Sequence, residues 1–260
     1  MNIFIVTLKI RVIKGENLMI LNYFKEIEKI MEKVKQKEKN TMKKVAKLIS
    51  KTIQHDGIIH LFGCGHSHIL TEEVYYRAGG LVPIHPILHE PLMLHEGALK
   101  SSELERKNDY AETFMKNQDI KKKDLVFIIS TSGRNPVPID AAIIAKKTGA
   151  YVVGLTSIDY SSSEPSKHKS KKHLYNVVDY VIDNHAPVGD ALLNHENVQV
   201  NFSPSSTVIG SIILNSMFAE AIVDMAKNNF NPPILMSGNV SGSDDYNKQI
   251  IHKYKERIKL

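Results

Sequence analysis

The feature that most constrains this chain is an alternation of short apolar runs with helical patterns. Strands are expected at residues 57–62, near 82–88 between prolines, and at 125–129, 151–155 and 177–182. Helices are expected between them at about 69–78, where Gly79-Gly80 stops the pattern, and at 109–117 and 136–147. Strands alternating with helices imply an α/β fold with a mainly parallel, doubly wound sheet and right-handed crossovers. In such sheets, ligands lie outside the carboxyl ends of the strands.

Helical spacing also precedes and follows this block. Ile20, Phe24, Ile27, Met31 and Val34, then Met42, Val45, Ile49 and Ile53, read as an N-terminal helical hairpin over 20–55 that breaks near Lys39-Asn40. Residues 207–226 read as one long helix, apolar nearly all round, which belongs in a core or a subunit interface. A charged helical tail is expected over 244–260. With the α/β core at 57–226, residues 19–260 are read as a single domain.

The first 18 residues are expected to be a mis-started or non-native extension. The stretch Lys14-Gly15-Glu16-Asn17-Leu18-Met19 can be encoded with a ribosome-binding site just ahead of an ATG, which would make Met19 the start. A real strand over 2–12 fits the pattern equally well.

Composition narrows the function classes. The single cysteine, Cys64, excludes a disulfide framework and fits a cytoplasmic protein. No apolar run approaches the roughly 20 residues that span a membrane, so no membrane partner is expected. The net charge of +6 does not imply nucleic acid. The lysines between Lys25 and Lys51 alternate with glutamates opposite an apolar stripe, as on a solvated helix face. Lys167 to Lys172 read as a basic surface loop.

Two strand ends carry the chemistry. Gly63-Cys64-Gly65-His66-Ser67-His68 starts like a dinucleotide fingerprint, but His68 stands where the third glycine belongs, and no P-loop occurs. We expect no nucleotide cofactor. Ser130-Thr131-Ser132-Gly133-Arg134-Asn135-Pro136 is the sharper signal. Asn135 is placed as an N-cap and Pro136 fits the first helical turn. A cap needs one acceptor, yet this loop supplies Ser130, Thr131, Ser132 and Asn135 together, a neutral donor set suited to a phosphate. A third cluster, Ser203-Pro204-Ser205-Ser206-Thr207, fits plain helix capping and anion binding about equally.

Those motifs make the chain resemble the SIS (sugar isomerase) domain family over about 42–226. From Met19 onward it also resembles stand-alone bacterial SIS proteins labelled phosphoheptose isomerase, through residues 72–81, Leu94-His95-Glu96-Gly97 and Asn231-Pro232-Pro233-Ile234. The resemblance implies a three-layer α/β/α sandwich around a five-stranded parallel sheet. It implies a homodimer or homotetramer with sites near subunit interfaces. It also implies a sugar phosphate held by Ser130, Ser132 and Asn135, with Ser67 nearby. One position departs: the catalytic glutamate of phosphoheptose isomerases falls at Arg77, one turn after Glu73, and the zinc-binding histidine of some of them falls at Glu73.

Aldose–ketose isomerisation needs a base near a carbon-bound proton and donors for the enediolate. The candidates are Glu72, Glu73, His95, Glu96 and Glu220, with Glu73 first because it follows the glycine loop and can point back to the strand ends. The bland reading for Glu73 is an ion pair with Arg77. Glu220 is an acid in an apolar helix and must be paired or functional. His66-x-His68 lacks a third ligand, so no metal is expected. His60 reads as a satisfied sheet-face residue. The expected function is a sugar-phosphate isomerase of carbohydrate-derivative metabolism. The alternatives are a non-catalytic sugar-phosphate sensor, or a lyase or etherase.

Overall fold

A computed structural model describes residues 18–258. The expectation for residues 1–17 lies outside them. Helices α1 (Met19–Lys37) and α2 (Lys39–Gln54) form the hairpin, which turns at Glu38. The core then runs β1 (Ile59–Gly63), α3 (Ile69–Glu73), β2 (Ile84–Pro86), α4 (Ala98–Glu105), α5 (Glu112–Met115), β3 (Leu125–Ile129), α6 (Pro136–Lys147), β4 (Tyr151–Thr156), α7 (Ile158–Ser162) and β5 (Tyr180–Asp183). An antiparallel hairpin, β6 (Leu193–His195) and β7 (Val198–Phe202), precedes the long α8 (Ser206–Lys227), and α9 (Ser243–His252) closes the order.

The five strands make one parallel sheet in the order β2-β1-β3-β4-β5. Alternate residues of each strand feed opposite layers. Ile59, Leu61, Phe127 and Ile129 join the core under α1, α2 and α8, whereas Phe62, Val126 and Ile128 join the core under α5 and α6. A strand buried on both sides therefore reads as an unbroken apolar run, which is why β1, β3 and β4 were visible as such. The chain leaves β1 in one direction and β3 in the other, so the carboxyl ends of these neighbours form the topological switch point.

Three expectations needed correction. Helix α3 stops at Glu73 rather than near Ala78, and Tyr76 takes the left-handed φ of 44°. The helix expected at 109–117 shrinks to one turn at α5, preceded by α4. Against the expectation that no apolar run approaches membrane-spanning length, α8 is long and apolar enough to cross a membrane by length and composition; one side of it, with Ile209, Ile213 and Met217, is buried in the core, and the other, with Val208, Ile212 and Val223, is exposed. At the far end of the sheet, the tail after α9 is fastened to the core. Arg257 donates to both carboxylate oxygens of buried Asp124 (3.0 and 2.7 Å), which also pairs with His60 Nε2 at 3.2 Å. His60 is therefore satisfied at one ring nitrogen only, since its buried Nδ1 has no partner among the described residues.

Candidate functional site

The switch point is built from the two loops singled out in the sequence. After β3, the carbonyls of Thr131, Gly133 and Arg134 are turned inward and used. Thr131 O accepts from Ser157 N–H (2.9 Å) and Thr156 Oγ1 (3.2 Å), Gly133 O from Leu174 N–H (2.8 Å), and Arg134 O from Lys167 N–H (2.9 Å). The N–H groups of Thr131, Ser132, Arg134 and Asn135 have no acceptor among the described residues. A turn with carbonyls tied back and amides unspent is a concavity for an anion.

Gly133 makes that turn possible. Its φ is +56°, and a Cβ there would lie 2.5 Å from Ser161 Oγ and 2.6 Å from Thr156 Oγ1. Helix α6 itself adds little, because Pro136 and Pro138 remove two first-turn N–H groups. The donors come from the loop more than from the helix.

The four predicted loop residues divide. Ser130 is buried, at 5% exposure, and its hydroxyl accepts from Gly133 N–H at 3.3 Å, so it shapes the turn. Thr131 and Ser132 are half-buried and carry hydroxyls at the rim; Thr131 Oγ1 accepts from the Asn184 amide at 3.5 Å. Asn135 occupies the N-cap position of α6, but its side chain does not cap the helix. It lies close enough to Glu105 to favour that residue's charged form.

Across the switch point, β1 ends at Gly63, where a Cβ would strike the Ser67 backbone at 2.6 Å. The half-buried Ser67 donates its N–H to Cys64 O (3.0 Å) within a tight 3-10 turn, Gly65–His68. His68 is buried, held by Gly65 O and lying 3.5 Å from Glu72. The exposed pair His95 and Glu96 (3.8 Å apart) overlies this turn, with the His95 ring 6.3 Å from that of His68.

Glu73 does not point back to the strand ends. Its carboxylate pairs with Arg77 and accepts from Ser211 Oγ (3.2 Å) and Asn215 Nδ2 (3.4 Å), facing α8. Glu220 is also turned elsewhere. It lines a cavity of about 640 Å³ between α1, α2 and α8, with Glu32, Lys35 and Lys39 beside it. The third serine cluster is a capped helix start: Asp190 accepts from Ser205 and Ser206 through both backbone and hydroxyl groups (2.6–2.9 Å). An internal carboxylate already occupies that place.

One carboxylate that the sequence reading passed over reaches the site. Glu105, the last residue of α4, is half-buried beside Asn135. Burial pushes its carboxyl up, against the opposing pull of the Asn135 side chain and the charges of Arg106 and Lys167. Burial, helped by the Glu105 charge, raises the Cys64 thiol well above its usual range, which leaves it a buried, inert neighbour. Among the described residues, no group of three or more histidine, cysteine or acidic side chains is arranged to hold a metal ion.

Residues 22–157 match the SIS domain family. A UPF0309 protein of Halalkalibacterium halodurans is 60% identical over 242 residues, which is 93% of this chain and 97% of the relative. The chain belongs to the UPF0309 family of SIS-domain proteins. Another UPF0309 protein, from Geobacillus kaustophilus, is 60% identical over 240 residues, or 92% of this chain and 96% of its own. A phosphoheptose isomerase from Francisella tularensis shares the fold, with a TM-score of 0.51 at 12% identity over 78% of this chain and 96% of that one. At that identity the likeness bears on architecture alone.

Proposed function

We propose that this UPF0309 chain binds a sugar phosphate at the β1/β3 switch point and interconverts its aldose and ketose forms. The observation that carries the reading is the loop at 131–135, with four backbone N–H groups lacking acceptors and the Ser132 and Thr131 hydroxyls at its rim. Neutral donors in a turn hold a phosphate dianion without a guanidinium. In this reading Ser67, from the turn after the neighbouring strand β1, adds a hydroxyl to the same ligand.

The isomerisation step needs a carboxylate close to the sugar's C2 proton. Glu105 fits best among those the fold offers, because it abuts Asn135 and burial has raised its proton affinity toward that of a working base. It would take the C2 proton as the enediolate forms. His95 and Glu96, which overlie the glycine turn, are placed to return the proton or orient the sugar. Glu73 would first have to break its bonds to Arg77, Ser211 and Asn215.

The working unit in this reading is a homo-oligomer. Leu18, at the start of α1, and Ile20, Leu21 and Phe24 on it are 49–68% exposed, and Val208, Ile212 and Val223 on the outer face of α8 are 38–47% exposed. A patch of that kind on two helices is what a second copy would cover.

Proton exchange tests the chemistry. Hexose, amino-sugar and heptose phosphates that stabilise the protein thermally are followed by NMR in deuterated water; ligand at about 100 Kd adds about 2.7 kcal/mol. Loss of the C2 proton signal with appearance of the isomer is the expected result. Binding without exchange would instead identify a sensor, and release of a substituent without isomerisation a lyase.

A further inference from the structure

The strand-free basic stretch at 167–172 has a place in the fold that sequence alone did not reveal. It is pinned against the switch point. Lys167 N–H and Ser166 Oγ donate to Arg134 O, His168 Nε2 lies 2.8 Å from Asp140 on α6, and Lys169 N–H donates to Asn108 Oδ1 at 2.8 Å. Lys169 also pairs with Asp109, whose N–H donates to Asp140 at 2.7 Å. These bonds hold Lys167 between Arg134 of the phosphate loop and the end of α4, where Glu105 and Arg106 lie.

The outcome is a concentration of like charge. Arg134 is partly spent, donating to Pro165 O (2.9 and 3.2 Å) and lying 3.6 Å from Glu164. Neither Arg106 nor Lys167 has a hydrogen-bonded or ion-paired side-chain partner among the described residues. Burial first, then the charges of Arg106 and Arg134, hold the Lys167 ammonium below its usual range. The Glu105 and Glu164 carboxylates lie among these cations and offset part of the repulsion, but neither is ion-paired with Arg106 or Lys167 among the described residues, so these two exposed side chains remain open to an anionic group.

We propose that Arg106 and Lys167 form a second anion subsite next to the phosphate loop, so that the preferred substrate is a sugar phosphate carrying another negative group, either a carboxylate or a second phosphate. This rests on the phosphate reading of residues 131–135 and names the substrate class for that site. The loop amides take one anion, Glu105 faces the sugar carbons, and the two cations select what lies beyond them.

The test compares matched probes by calorimetry at fixed ionic strength: glucose 6-phosphate against 6-phosphogluconate, and fructose 6-phosphate against fructose 1,6-bisphosphate. The wild type should prefer the doubly anionic member of at least one pair by about tenfold or more. In the Arg106→Gln/Lys167→Gln double variant that ratio should fall to about one. In Lys44→Gln/Lys47→Gln, which removes two charges from α2, the ratio should persist. Equal affinities within both pairs, or a preference that survives the first double variant, would overturn the second subsite while leaving the phosphate loop standing. If no probe binds at all, the phosphate reading fails and takes the subsite with it.

Discussion

Replacing Gly133 by alanine is the sharpest single perturbation of the phosphate loop. The residue sits at φ +56°, where an L side chain costs about 1–2 kcal/mol. The added Cβ would then press on Ser161 Oγ (2.5 Å) and Thr156 Oγ1 (2.6 Å). Those two hydroxyls are buried and hydrogen-bonded to each other at 3.1 Å, so neither can swing away without breaking a buried bond. Overpacking of this kind costs about 1–3 kcal/mol. The sum is about 2–5 kcal/mol, which lowers Tm by about 4–20 °C in a protein of this size. Gly242→Ala is the control: its φ is +82° but nothing lies within 4 Å of the new Cβ, so only the backbone part applies. Thermal denaturation of both variants measures the difference, and calorimetry with a sugar phosphate measures binding. Gly133→Ala should also weaken that binding by at least about tenfold, since the turn aims the amides. Equal destabilisation of the two variants, or unchanged affinity in Gly133→Ala, would refute the reasoning.

Arg257→Ala should cost about 3–5 kcal/mol, because Asp124 would be left buried with its charge half compensated; chemical denaturation reads this directly. Burial alone would raise the Asp124 carboxyl, but the hydrogen bonds from His60, Arg257, Lys121 N–H and Ile58 N–H outweigh it and hold it well below the carboxylate range. Its contribution is thus complete above the unfolded pKa of about 3.9 and declines as pH falls below it, so Asp124→Asn should flatten the acid side of the stability curve. Glu105→Gln should reduce kcat by about 100-fold or more with little loss of folding. In the wild type, the acid limb of kcat/KM should lie above the ordinary glutamate range of about 4.3, because burial raises that carboxyl. Ile20→Glu/Phe24→Glu should shift sedimentation from oligomer to monomer, whereas a wild-type chain that is already monomeric would remove the interface proposal.

The elements carrying long apolar runs into the core were legible in the sequence. The strands β1, β3 and β4 and the helices α6 and α8 declare themselves through long apolar runs, and Pro136 marked the start of α6. What escaped was governed by solvent or by distant partners. Only Ser101 of α4 is buried, so that helix has no apolar stripe to read. The β6–β7 hairpin is largely exposed, and the alternation Val198-Gln199-Val200-Asn201-Phe202 was the signal that could have found it. The serine-rich loop after β3, proposed to hold the phosphate, was visible because its residues are consecutive. Glu105 was not, since it meets Asn135 only when the α4 segment folds over the sheet; an acid ending a segment between β2 and β3 was the one available hint. The serine cluster before α8 was ambiguous for a similar reason, as its partner Asp190 lies 15 residues upstream and takes a left-handed conformation (φ 52°) to reach it.

The most direct measurement is a backbone amide NMR titration of the full chain with a sugar phosphate that stabilises it. Thr131, Ser132, Arg134 and Asn135 should show the largest shifts, saturating together, and Ser132→Ala should weaken the binding. Shifts confined to the cavity between α1, α2 and α8, with those four amides unmoved at saturation, would contradict the account.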